Sequence, residues 1–274
     1  MDNKQIEVYK DYLRMLFQGH VYSVLCHSKA GLGKTYTTVK LLKQFGKSYE
    51  YSSGITTAVG LYKLLYDNNG KVLVLDDIET IFQDDRAVNL LKAALWDVDG
   101  KRIVTYKSSS VVLEDYPDSF VYTGQIIILA NEVKGKKDES YNALMSRCLK
   151  YELNYTFEEV IKIATSMTMQ SSDLNPSQKT KVVDVIQRNI RPQHSFNFRL
   201  LERLKAFVKY DIEKAESLFL ESLDVNEELS VIMDIIQKYS STKEQVKAYT
   251  EITGKSRMTF FRQKKKMKKD GVLK

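Results

Sequence analysis

Ser28-Lys29-Ala30-Gly31-Leu32-Gly33-Lys34-Thr35 is the stretch on which the reading of this chain turns. An apolar run, Val21 to Cys26, precedes it, and a helical pattern carrying Val39, Leu41, Leu42 and Phe45 follows. Strand, glycine-rich turn, Gly-Lys-Thr and helix in that order form the context that a phosphate-binding loop requires. Such a turn aims backbone N–H groups, and the positive end of the next helix, at phosphate oxygens. Lys34 is expected to reach the β- and γ-phosphates of a nucleotide, and the Thr35 hydroxyl to ligate Mg²⁺. Ser28 stands where the usual first glycine would be. Serine can form that end of the loop while its backbone angles stay in an allowed region. Ser28 to Thr35, with Tyr36 behind them, are the candidate nucleotide-binding residues.

Outward from the loop, Val72-Leu73-Val74-Leu75-Asp76-Asp77 is a short apolar run ending in two carboxylates. Apolar on both faces, it predicts a central strand of a parallel sheet. Ligands of open α/β sheets sit beyond the carboxyl ends of the strands. Asp76 is therefore expected to hold Mg²⁺ beside the loop, directly or through water, and Asp77 to orient or deprotonate an attacking water. Gln125 to Asn131 predicts another buried strand, ending in a neutral amide. Asn131 can bond the γ-phosphate or that water without adding charge; a simple turn-forming asparagine is the alternative. Ser146-Arg147-Cys148 precedes a last strand, Leu149 to Leu153. An arginine there, at the nucleotide edge, is expected to project into a neighbouring subunit's site and stabilise charge on a transferring phosphoryl group.

The remaining pattern completes an α/β body. Residues 1–20 read as an amphipathic helix and Tyr49 to Ser52 as a second strand, broken by Gly54. Thr56–Tyr66 and Asp84–Leu95 read as helices, and residues 102–106 with 110–113 as a β-hairpin. From Tyr155 onward the pattern is helical, over Phe157–Met169, Ser177–Ile190, Phe196–Tyr210 and Asp211–Leu223. A hydrophobic share of 43% and a charged share of 28% suit a globular core, and no apolar run nears the ~20 residues that span a bilayer. Cys26 and Cys148 sit in expected strands with no ligand spacing, and read as core residues of a reducing compartment. The expected location is cytoplasmic, a host's if the source is viral.

In this order the parts resemble an AAA+ ATPase over roughly residues 20–215. Residues 28–35 match its Walker A loop, Val72–Asp77 its Walker B strand, and Asn131 its sensor 1 position. Ser146-Arg147-Cys148 resembles the Ser-Arg-Cys box of clamp loaders, whose arginine is a finger in the adjacent protomer's site. Arg199, in Phe196-Asn197-Phe198-Arg199-Leu200-Leu201, resembles sensor 2 at the start of a lid helix. The resemblance implies a P-loop NTPase sheet flanked by helices, an α-helical lid, ATP and Mg²⁺ as cofactors, and a homo-oligomer assembled through the ATP site. Asp77 departs from the family's usual glutamate; one methylene shorter, it implies slow hydrolysis.

The charge gathers at one end. Residues 255–274 carry +8 of the net +7, leaving the rest of the chain at about −1. Residues 229–239 predict an amphipathic helix. A helix capped at Ser241 or Thr242, a turn at Gly254, and a helix from Arg257 to Lys269 capped by Ser256 follow. Gly254 to Arg262 resembles the turn and recognition helix of bacterial helix-turn-helix domains, with Asp270–Leu273 as the start of a truncated wing. That resemblance sets Arg257 and Met258 toward base edges, Ser256 and Thr259 toward phosphates, and Arg262 along the groove. Lys264, Lys265 and Lys266 would neutralise phosphates. The expected domains are 1–154, 155–223 and 224–274. The expected function is an ATP-hydrolysing protein that oligomerises on double-stranded DNA in replication, as an initiator or helicase loader. A regulator or target selector for transposition or transcription, and a nucleotide-sensing DNA switch without turnover, are the alternatives. A helicase, polymerase or transposase is the expected protein partner.

Overall fold

A computed structural model describes residues 4–54, 57–107, 111–131 and 139–273; Thr56, Ser110 and Lys274 of the expectations above lie outside these residues. The chain divides into two compact units, Asp2–Leu153 and Asn154–Lys274.

The first unit runs α1 (Lys4–Phe17), β1 (Ser23–His27), α2 (Lys34–Gln44), β2 (Tyr49–Ser53), α3 (Ala58–Asp67), β3 (Val72–Asp76) and α4 (Asp85–Leu95). It continues through β4 (Ile103–Thr105), β5 (Ser119–Val121), β6 (Gln125–Ala130), α5 (Glu139–Met145) and β7 (Leu149–Glu152). Five strands pair in parallel in the order β2-β3-β6-β1-β7. The register brings the strand ends level: Asp76 pairs Leu129, and His27 pairs both Ala130 and Glu152. Side chains alternate across a strand, so each central run supplies two faces. Leu25, Leu73, Leu75, Ile126 and Ile128 meet α3, α4 and α5 in one cluster. Val24, Cys26, Val74, Ile127 and Leu129 are buried on the other face. Each such side chain contributes about 2 kcal/mol of burial.

Behind the loop, α1 braces α2. Tyr9 is fully buried, its hydroxyl lies 2.6 Å from Thr38 Oγ1, and its ring stacks on Tyr151. Thr38 in turn donates to the Lys34 carbonyl at 2.9 Å.

The expected hairpin is corrected. Ile103–Thr105 pairs antiparallel with Ser119–Val121, whereas Val111–Leu113 forms a turn of 3-10 helix. Its alternative partner is held in place by aromatics: Phe120 packs on Tyr62 and Tyr66, and Tyr62 donates to the Pro117 carbonyl. Cys148 is corrected too, lying one residue before β7.

The second unit is helical: α6 (Phe157–Gln170), α7 (Pro176–Asn189), α8 (Phe198–Tyr210), α9 (Ala215–Glu221), α10 (Glu227–Lys238), α11 (Thr242–Thr253) and α12 (Arg257–Lys269). Caps fix the starts. Thr156 with Glu159, and Asn175 with Gln178, form capping boxes, and Asn197 accepts from Arg199 and Leu200 N–H. Phe196 therefore stands outside its expected helix. The last three helices carry their own core of Ile232, Ile235, Ala248, Tyr249, Phe260 and Met267. Residues 270–273 form no wing strand. Val272 N–H bonds the Met267 carbonyl at 2.8 Å, and Val272 and Leu273 fold back on that core. Gly271 has φ +67°, and a Cβ there would meet Thr156 at 2.8 Å, so the return needs glycine.

A candidate nucleotide site at the carboxyl edge of the sheet

The loop turns on two left-handed glycines, Gly31 (φ 77°) and Gly33 (φ 85°), while Ser28 keeps a negative φ. The substitution of glycine by serine therefore costs no backbone strain. It adds a contact instead: Lys34 Nζ donates to Ser28 Oγ at 2.9 Å and to its carbonyl at 3.3 Å. Gly33 caps α2 without a side chain, and the first turn holds no acidic residue, so its N–H groups face the loop uncompensated. Leu32 packs inward at 5% exposure, and Tyr36 stands outside at 64%, with Lys40 over its ring.

The two carboxylates and the amide meet this loop. Thr35 Oγ1 donates to Asp76 Oδ2 at 2.7 Å. Lys34 donates to Asn131 Oδ1 at 3.1 Å, and Asn131 Nδ2 donates to Asp77 Oδ1 at 2.7 Å. Asn131 thus links the loop lysine to the second carboxylate, drawing β1, β3 and β6 to one point. Asp77 itself has φ 52°, a left-handed conformation rare outside glycine. That turn carries its carboxylate off the strand toward Asn131.

The donor set suits a magnesium nucleotide. Mg²⁺ prefers one or two carboxylates with substrate phosphates over an all-protein cage. Thr35 and Asp76 provide a hydroxyl and a carboxylate side by side, and among the described residues no cluster of three or more His, Cys, Asp or Glu side chains exists. Burial pushes the Cys26 thiol up to about 12 and the Cys148 thiol up to about 11, so both stay neutral and unreactive.

One partner of Asp76 carried no signal in the sequence. Tyr51, from the edge strand β2, donates its hydroxyl to Asp76 Oδ2 at 2.8 Å. Burial first, then that bond, pushes Tyr51 up to about 12, so it remains a donor.

Arg147 lies elsewhere. It precedes Leu149, which pairs with Val24 at the start of β1, so it sits at the amino end of the sheet, not the nucleotide edge. There Nη1 donates to the Ala143 carbonyl at 2.5 Å, and the guanidinium lies 5.7 Å from the Trp96 ring. Its Nε is buried with no partner among the described residues.

In the helical unit Arg199 opens α8 and lines an open cavity of about 400 Å³ with Arg203, His194 and Asn226. Along α12, Ser256 is an N-cap, its hydroxyl accepting the Thr259 N–H at 3.3 Å. Arg257, Arg262, Lys265 and Lys266 are exposed and Met258 is 82% exposed. Lys264 is half-buried and donates to Gln245 Oε1 at 2.9 Å, which ties it to α11.

The chain shares this fold, a parallel sheet flanked by helices, with the solved structures that follow. No protein-family model matches the chain. An uncharacterized 36.7 kDa protein from the nrdC-mobD intergenic region of Enterobacteria phage T4 is 27% identical over 231 residues, 76% of this chain and 70% of the relative. Among solved structures, the Thermotoga maritima RuvB Holliday junction branch migration motor is similar, with TM-score 0.52 and 15% identity over 94% of this chain and 84% of that one. A point mutant of the same motor gives TM-score 0.52 and 14% identity over 95% and 85%. At these identities the likeness establishes the fold alone. Among the described residues, no helix is long and apolar enough to cross a membrane.

Proposed function

We propose that the chain binds ATP with Mg²⁺ and hydrolyses it as an AAA+ protein, assembling with copies of itself on double-stranded DNA in a replication system. One observation carries the reading: Lys34, Asn131 and Asp77 form a continuous hydrogen-bonded line beside Thr35 and Asp76. Lys34 and the loop amides would hold the phosphates, and Thr35 and Asp76 would hold Mg²⁺, which when bound would neutralise charge developing on the phosphates. Asp77 takes the proton of the attacking water, and Asn131 fixes its carboxylate. Because Asn131 occupies one oxygen of an already short acid, turnover is slow.

Arg147 is assigned to a neighbour's site, since its own loop lies at the opposite end of the same sheet. Arg199 keeps the sensor 2 assignment that family order implies. The domains 1–154, 155–223 and 224–274 divide nucleotide binding, lid and DNA binding. The last is assigned to α11, the turn at Gly254 and α12 as a helix-turn-helix, with Arg257, Met258, Thr259 and Arg262 toward DNA and Lys265 and Lys266 toward phosphates. The fold shared with a motor acting on Holliday junctions favours a DNA-directed role, as initiator or helicase loader, with a helicase or polymerase as partner.

Size in solution tests this, measured without nucleotide, with ATP and Mg²⁺, and for Arg147→Ala, each with and without duplex DNA. ATP-dependent oligomers whose turnover needs Arg147 support the reading. A chain that stays monomeric while binding DNA sinks the assembly; absent turnover in both wild type and Asp77→Glu sinks the enzyme.

A further inference from the structure

Asp76 is 6% exposed, and its carboxylate takes two hydroxyl hydrogen bonds on the same oxygen. Thr35 Oγ1 reaches Oδ2 at 2.7 Å from the phosphate loop, and Tyr51 reaches it at 2.8 Å from the edge strand. We infer that Tyr51 is the outer positioning residue of the metal site: its hydroxyl pins Oδ2 beside Thr35 and leaves Oδ1 for the metal or a metal-bound water. The inference deepens the nucleotide-binding reading above and rests on it.

The terminal torsion of an aspartate is broad and roughly two-fold, so an unrestrained carboxylate samples many orientations. A carboxylate oxygen offers about two acceptor positions, and the two hydroxyls fill those of Oδ2. Oδ1 receives neither bond. Mg²⁺ tolerates little departure from octahedral geometry, so the orientation of a single carboxylate controls its affinity. Both anchoring strands are set by the sheet itself: Ser53, two residues beyond Tyr51, pairs directly with Asp76. The Tyr51 ring is 41% exposed, so removing only its hydroxyl leaves packing and pairing as they are.

The test uses the full chain, Tyr51→Phe, and Tyr49→Phe as a control on the same strand. A fluorescent ATP analogue reports binding, first in EDTA and then as Mg²⁺ is titrated, and a thermal melt checks folding. Tyr51→Phe is expected to raise the half-saturating Mg²⁺ concentration about 10-fold and leave the EDTA affinity within about 2-fold, because outer partners of ligating carboxylates control metal affinity on this scale. Tyr49→Phe changes neither. An unchanged or lowered Mg²⁺ midpoint overturns the inference, the lowered one making Tyr51 a competitor of the metal. Equal losses with and without Mg²⁺ overturn it in favour of a purely structural role for β2. A wild type that binds no nucleotide in either condition overturns the underlying site instead.

Discussion

The two charged regions of this molecule are built on opposite plans. At the carboxyl edge of the sheet, Lys34 and Asp76 are each 6% exposed and held by named neighbours, Lys34 by Ser28 and Asn131 and Asp76 Oδ2 by Thr35 and Tyr51. On α12, Arg257, Arg262, Lys265 and Lys266 stand in solvent, as does Met258 at 82% exposure. Buried charges interact strongly because little water screens them, and they are costly when unpaired. Exposed charges act additively and weakly. The first region therefore works through single residues and the second through their sum.

Lys34→Ala tests the first plan hardest. Removing a charged donor to phosphate costs about 3 kcal/mol, roughly a 100-fold loss in nucleotide affinity by calorimetry. A loss under tenfold would mean that the loop does not hold phosphates.

Asn131→Ala comes next. It unlinks Lys34 from Asp77, so turnover is expected to fall about 10- to 100-fold while nucleotide affinity changes little, the pattern of a lost transition-state contact. Equal loss of both would make Asn131 a binding residue only.

On α12 the effects are smaller. Arg257→Ala and Arg262→Ala should each weaken duplex binding about 3- to 10-fold, and each removed phosphate contact should reduce the salt slope by about 1. Lys264→Ala is the contrast, because its bond to Gln245 predicts loss of stability rather than of salt dependence. If Lys264 instead changes the salt slope as Lys265 does, the distinction between the two lysines fails.

The smallest effect is a pH dependence in the C-terminal core. Glu228 accepts from the Tyr249 hydroxyl and pairs with Lys255 at 2.9 Å, and these hold its carboxyl below the ordinary range. A lowered folded pKa gives stability that is complete above the unfolded value, about 4.3, and is lost as pH falls through the folded one. The urea midpoint of wild type should exceed that of Glu228→Gln at neutral pH, and the gap should narrow on acidification. A constant gap would assign Glu228 to packing.

Legibility differed between these regions for physical reasons. The runs at 72–76 and 125–130 are central strands, apolar on both faces, and parallel burial writes itself into sequence that way. The caps at Ser241 and Ser256 were equally local, since each accepts from an N–H three residues on. The hairpin was misread because Val111–Leu113 is more apolar than Ser119–Val121. The choice between them fell to Tyr62 and Phe120, which are distant in sequence. Tyr51 left no trace, because a tyrosine in the polar stretch Tyr49–Ser53 looks like any edge-strand aromatic.

By itself the sequence determined the loop, the strand ends that carry Asp76, Asp77 and Asn131, the helical second half and the basic end. Each depends on spacing along one segment. Only the tertiary structure decided that β6 lies between β1 and β3, that Arg147 stands at the far end of its own sheet, and that Tyr51 shares an oxygen with Thr35. Those are facts of pairing between segments. A continuous apolar run specifies that a strand is buried but not beside which neighbour, so the order emerges only when the whole core packs.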